Sequence, residues 1–114
     1  MRSLRTHLLT LALLAPLAAC GGDAGKVSGS CDTRSTNGAC IEYKGAKDVV
    51  GPYETQCGSA SWSSGLCNRT DSVGGCAVKD DSTGLEYISW FFGPNFTAEI
   101  AMQSCVSPGM FTTP

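Results

Sequence analysis

The chain has 114 residues, with eight basic and ten acidic side chains, seven cysteines and a single histidine. That length suits one domain, and an acidic chain without a Lys/Arg cluster lacks what nucleic-acid phosphates require, so no nucleic-acid partner is expected. His7 is the only histidine. It lies in an N-terminal segment read below as removed, which excludes Ser-His-Asp and Cys-His catalysis and imidazole zinc sites from the remainder.

The opening Met1-Arg2-Ser3-Leu4-Arg5-Thr6-His7 is basic, and Leu8 to Ala19 is almost wholly apolar with Pro16 near its end. This is an export-signal pattern, and the apolar run is about half of what a membrane-spanning helix needs. Its last residues and the next, Leu17-Ala18-Ala19-Cys20, resemble the lipobox of bacterial lipoproteins. The resemblance implies cleavage before Cys20, acylation of its thiol and amine, and a cell-envelope location anchored by lipid, with the outer membrane favoured because Gly21 follows. Residues 1–19 are then a signal peptide. Losing Arg2 and Arg5 leaves six basic against ten acidic side chains, a net charge of −4. Setting Cys20 aside leaves an even set, Cys31, Cys40, Cys57, Cys67, Cys76 and Cys105. In an oxidising compartment, with no Cys-x-x-Cys pair, these are expected as disulfides rather than metal ligands, and no cofactor or metal is expected.

Residues 20–30 are rich in Gly and Ser and read as a flexible tether, with the domain over 31–114. Asn37-Gly38 marks a turn before a strand at about 39–44. Val49-Val50-Gly51-Pro52 interrupts a helix, leaving a helical turn or two from Pro52 to Cys57. Gly58 to Gly75 reads as a polar loop pinned by Cys57 and Cys67, with Trp62 at its centre. A hairpin follows: Gly75 to Lys79, the turn Asp80-Asp81-Ser82-Thr83-Gly84, then Leu85 to Phe92, where Leu85, Tyr87, Ser89 and Phe91 share one face. A helix at about 96–105, capped by Asn95 or Thr97, is expected to lay Ala98, Ala101, Met102 and Cys105 on the sheet. The fold class is α+β: a small disulfide-stapled domain, an antiparallel sheet of about three strands, and one or two short helices.

A faint repeat runs through the domain: Gly45 lies twelve residues before Cys57 with Trp62 beyond, as Gly93 lies twelve before Cys105 with Phe111 beyond. Six cysteines allow 15 pairings. Short-loop closure favours Cys31–Cys40 and Cys57–Cys67, with Cys76–Cys105 tying the last helix to the sheet. The segment Cys40-Ile41-Glu42-Tyr43-Lys44-Gly45 and the Gly74-Gly75-Cys76 run resemble small cysteine-rich lipoproteins of uncharacterised function, a likeness that brings no activity with it.

Glu42, Glu86 and Glu99 are candidate paired carboxylates for glycosidase chemistry, and the 80–84 run offers oxygen ligands for calcium. Solvated or locally paired glutamates and a polar hairpin turn account for these better, since nothing in the spacing selects the carboxylates and the run lacks an EF-hand pattern, so no catalytic or metal residue is assigned. Trp62 stands in a polar stretch with few apolar neighbours and is a candidate partner contact, with core packing as the alternative. The function expected is non-catalytic binding or structural presentation to an unknown protein or glycan partner. The alternatives are an inhibitor of a secreted hydrolase and a carboxylate hydrolase.

Overall fold

A computed structural model describes residues 25–114. The expected signal peptide, the expected acylation site at Cys20 and the start of the expected tether lie outside the described residues. Nine elements follow one another: β1 (Lys26–Asp32), α1 (Arg34–Asn37), β2 (Ala39–Ala46), α2 (Lys47–Cys57), β3 (Trp62–Ser63), β4 (Ser72–Asp80), β5 (Leu85–Phe92), α3 (Ala98–Ser104) and β6 (Met110–Thr112). The strands form one antiparallel sheet in the order β3-β1-β2-β5-β4-β6. The α+β class stands, with six strands in place of about three. No helix among the described residues is long and apolar enough to cross a membrane.

The extra strands come from segments whose composition hid them. Residues 26–30, expected as tether, are strand, because their small side chains serve packing. A Cβ on Gly29 would overlap the indole of Trp62, and Ser30 is buried opposite Glu42. In the stretch read as loop, Trp62 and Ser63 pair with Cys31 and Ser30. The helix α2 starts at Lys47, ahead of the expected Pro52, and carries that proline inside it. Val50 explains why, since it is 1% exposed and packs toward Gly45 and Leu85, and burial of that kind outweighs helix propensity. Thr97 is the N-cap of α3, its hydroxyl accepting from the Ile100 amide. Only Ala101 of α3 is buried; Met102, expected on the sheet, is 56% exposed.

The order of elements occurs twice. A hairpin (β1-β2 or β5 with β4), a helix (α2 or α3) and a short strand (β3 or β6) that returns to pair with the first strand of its hairpin make up each half. Cys31 stands between Ile41 and Trp62 as Cys76 stands between Ser89 and Phe111. Gly29 lies under Trp62 as Gly74 lies under Phe111. Ile41 and Ser89, equivalent in the two halves, are also paired with each other, so a pseudo-two-fold axis passes between them at the β2-β5 junction.

Each half ties its helix to its sheet, through Cys31–Cys57 and Cys76–Cys105. The third bridge is Cys40–Cys67. The expected Cys31–Cys40 and Cys57–Cys67 pairs are thus corrected, and side-chain alternation gives the reason. Cys31 is opposite Ile41, so it and Cys40 point to opposite faces of the sheet. Cys57 ends a helix on the Cys31 face, whereas Cys67 closes over Cys40 on the other. Bridges spanning 26, 27 and 29 residues each restrict the unfolded chain by about 3 to 4 kcal/mol.

Candidate functional site

Cross-strand register sorts the side chains into two faces. On one lie Cys40, Glu42, Ile88, Trp90 and Phe92. Cys40 and Trp90 are nearly inaccessible, and with Cys67 and Phe92 they make the buried hydrophobic core cluster. Glu42 is buried within this face, its side chain 8% exposed. Arg69 donates to both its oxygens, Nε to Oε1 at 3.1 Å and Nη2 to Oε2 at 3.0 Å, and Trp90 Nε1 donates to Oε1 at 3.1 Å. The Arg69 guanidinium lies 4.4 Å from the centre of a Trp90 ring. Glu42 and Trp90 are equivalent in the two halves and meet diagonally across the axis, so the repeat diverges there into a hydrogen-bonded pair. The loop carrying Cys67 and Arg69 exists in one half only and covers this face.

The other carboxylates do not join Glu42. Glu86 is opposite Lys44 and pairs with Lys79 at 3.9 Å, and Glu99 accepts from Gln103 on α3 at 3.3 Å. Asp80 Oδ1 closes its own turn by accepting from the amide and hydroxyl of Ser82, which hold its carboxyl below the usual range. Among the described residues no group of three metal-ligating side chains converges.

The opposite face carries both helices and is aromatic. Tyr43 and Tyr87 are directly paired across the β2-β5 junction, ring centres 6.3 Å apart. Tyr53 of α2 stacks on Tyr43 at 4.7 Å, Trp62 approaches Tyr43 at 6.0 Å, and Phe91 meets Phe96 at 4.6 Å. Burial, reinforced by the neighbouring phenols of Tyr53 and Tyr87, pushes the Tyr43 hydroxyl's pKa up. The helices α2 and α3 cover this floor only in part, because α2 packs over β1 and β2, with Tyr53 on Tyr43, while α3 packs over β4. Tyr43, Tyr87, Ser89 and Phe91 are therefore half-buried, and Tyr53 is 37% exposed.

Two hollows flank the axis on this face. One, of about 310 Å³, is lined by Thr33, Tyr43, Tyr53, Gln56 and the Cys31–Cys57 bridge. The other, of about 320 Å³, is lined by Cys76, Val78, Tyr87, Ser89 and Phe91, with Ser104 and residues 106–109 as its wall. Both sit beside a helix-to-sheet disulfide, and the Tyr43–Tyr87 pair joins them. The two hollows and the Tyr43 and Tyr87 rings between them form one aromatic surface, here called the groove, bearing hydroxyl and amide groups.

Trp62, the candidate contact, is half-buried in β3. Its ring lies over Gly29 and against Tyr43, so it props the floor from the edge; it also borders a more polar hollow of about 530 Å³ with Asp32, Arg34, Ser61 and Ser63. There Arg34 Nε donates to Asp32 Oδ1 at 2.9 Å, and that contact holds the Asp32 carboxyl below its usual range. Sequence reasoning missed Tyr43, Tyr53 and Arg69. The alternation of β2 and β5 contained the signal for Tyr43, but the position of Tyr53 depends on a helix passing through Pro52, and Arg69 on a loop with no period. Compared with known protein families, with curated proteins and with solved structures, the chain matches none.

Proposed function

We propose that this chain is a lipid-anchored protein of the cell envelope whose domain binds a partner, protein or glycan, without catalysing a reaction. The observation that carries the binding reading is the half-exposed aromatic floor between two helices, each fixed by its own disulfide. Aromatic side chains supply large contact area at low entropy cost. A floor already ordered before binding adds little ordering cost. The three candidate carboxylates are not brought together: Glu42 is held by Arg69 and Trp90, Glu86 by Lys79 and Glu99 by Gln103. The anchoring reading draws on the Leu17-Ala18-Ala19-Cys20 motif and on cysteine usage. Three bridges engage six of seven cysteines, and Cys20 is the one outside them.

A photo-crosslinking residue placed at Tyr87 in the native cell tests the binding reading. Capture of a partner from position 87, and not from Glu99 on the outer surface of α3, is the expected outcome. Equal yields from both positions would contradict a role for the groove. Stoichiometric capture of a secreted hydrolase would move the assignment to an inhibitor.

A further inference from the structure

We infer that the groove takes an uncharged oligosaccharide, an inference that rests on the binding reading above and specifies its ligand. No charged side chain lines either hollow. Both arginines among the described residues are engaged elsewhere, Arg34 with Asp32 and Arg69 with Glu42 on the opposite face, and Lys79, which lines the adjoining hollow that shares Tyr87, is paired with Glu86. An anionic glycan would therefore find no cation in the groove and would approach a domain of net negative charge, an unfavourable field at long range.

The lining instead alternates ring faces with neutral hydrogen-bonding groups. Tyr87, Tyr53 stacked on Tyr43, and Phe91 packed on Phe96 supply apolar ring surface that matches the C–H faces of a sugar ring. Ser89, Gln56 and Ser104 present hydroxyls and an amide suited to its hydroxyls. An extended peptide fits less well, because β2 and β5 are paired with each other along the floor and offer no free strand edge for main-chain hydrogen bonds. The two hollows, each at the lower limit for a small-molecule site, lie on either side of the Tyr43–Tyr87 contact, whose ring centres are 6.3 Å apart. A chain of several sugars crossing the axis would fill both; a monosaccharide would fill one.

The test uses the full lipoprotein in a detergent without a sugar headgroup, applied to an array of neutral, sialylated and sulfated oligosaccharides. Binding confined to neutral oligosaccharides is expected. Tyr53→Ala and Tyr87→Ala should each weaken it about tenfold with all three disulfides intact, and Tyr87→Phe, which keeps the ring, should retain it to within a few-fold. Tyr53 is surface-exposed on α2, so its variant remains informative should Tyr87→Ala fail to fold. Binding to charged glycans alone, or to none, would overturn the saccharide assignment. In that event crosslinking from position 87 separates the two readings: a captured protein leaves the binding function standing, and no capture removes both.

Discussion

Glu42 has the most constrained position of any carboxylate in the domain, and its neighbours decide what its loss does. Gln at position 42 keeps the acceptor for Trp90 but loses the charge facing Arg69, which is itself 41% exposed and can return to water. Glu42→Gln should cost about 1 to 3 kcal/mol in denaturant unfolding. Arg69→Ala should cost more, because it leaves a buried carboxylate unpaired, and adding Glu42→Gln to it should restore part of the loss. A double variant less stable than Arg69→Ala would contradict this account of the pair. Tyr43 gives a second residue-scale test. Its folded-state pKa is raised above the unfolded value of about 10. Folding therefore loses stability as pH climbs from about 10 toward the higher folded value, since only the unfolded chain releases the proton there. Phenolate absorbance should show Tyr43 ionising above the ordinary tyrosine value, and Tyr43→Phe should flatten the alkaline loss of stability.

At the scale of elements, the repeat explains which residues are interchangeable and which are not. Gly29 and Gly74 are seats for Trp62 and Phe111, so Gly29→Ala should cost about 1 to 3 kcal/mol through overpacking. Thermal unfolding measures that cost, and a loss below a few tenths would mean the edge strand β3 simply moves aside. Much of this organisation was legible beforehand. The 85–92 strand and its faces followed from alternation, the Thr97 cap from its side chain, and the Cys57/Cys105 and Trp62/Phe111 correspondences from spacing. β1 was not, because Gly29 and Ser30 are the residues of a linker as well as of a strand lying under an indole. The bridge of Cys40 to Cys67 was not either, since register decides faces and register is a product of long-range pairing.

On the scale of the whole molecule, the two helix-to-sheet bridges are equivalent in structure, so replacing either pair by alanine should cost a similar 2 to 4 kcal/mol. A difference much larger than that range in calorimetry would show that the halves do not share their stability as the pseudo-symmetry implies. The third bridge belongs to the loop that covers the Glu42 face and leaves the helix face as the open one. That placement leaves the groove on the face of the sheet opposite the buried Cys40–Cys67 cluster. The central claim, a lipid-tethered domain in which every other cysteine is bridged, is tested most directly by the intact mass of the protein purified from its native membrane, alkylated with and without reduction. The account predicts the mass of residues 20–114 plus acyl groups, with six alkylated thiols appearing only after reduction. An unlipidated chain, or thiols that alkylate before reduction, would contradict it.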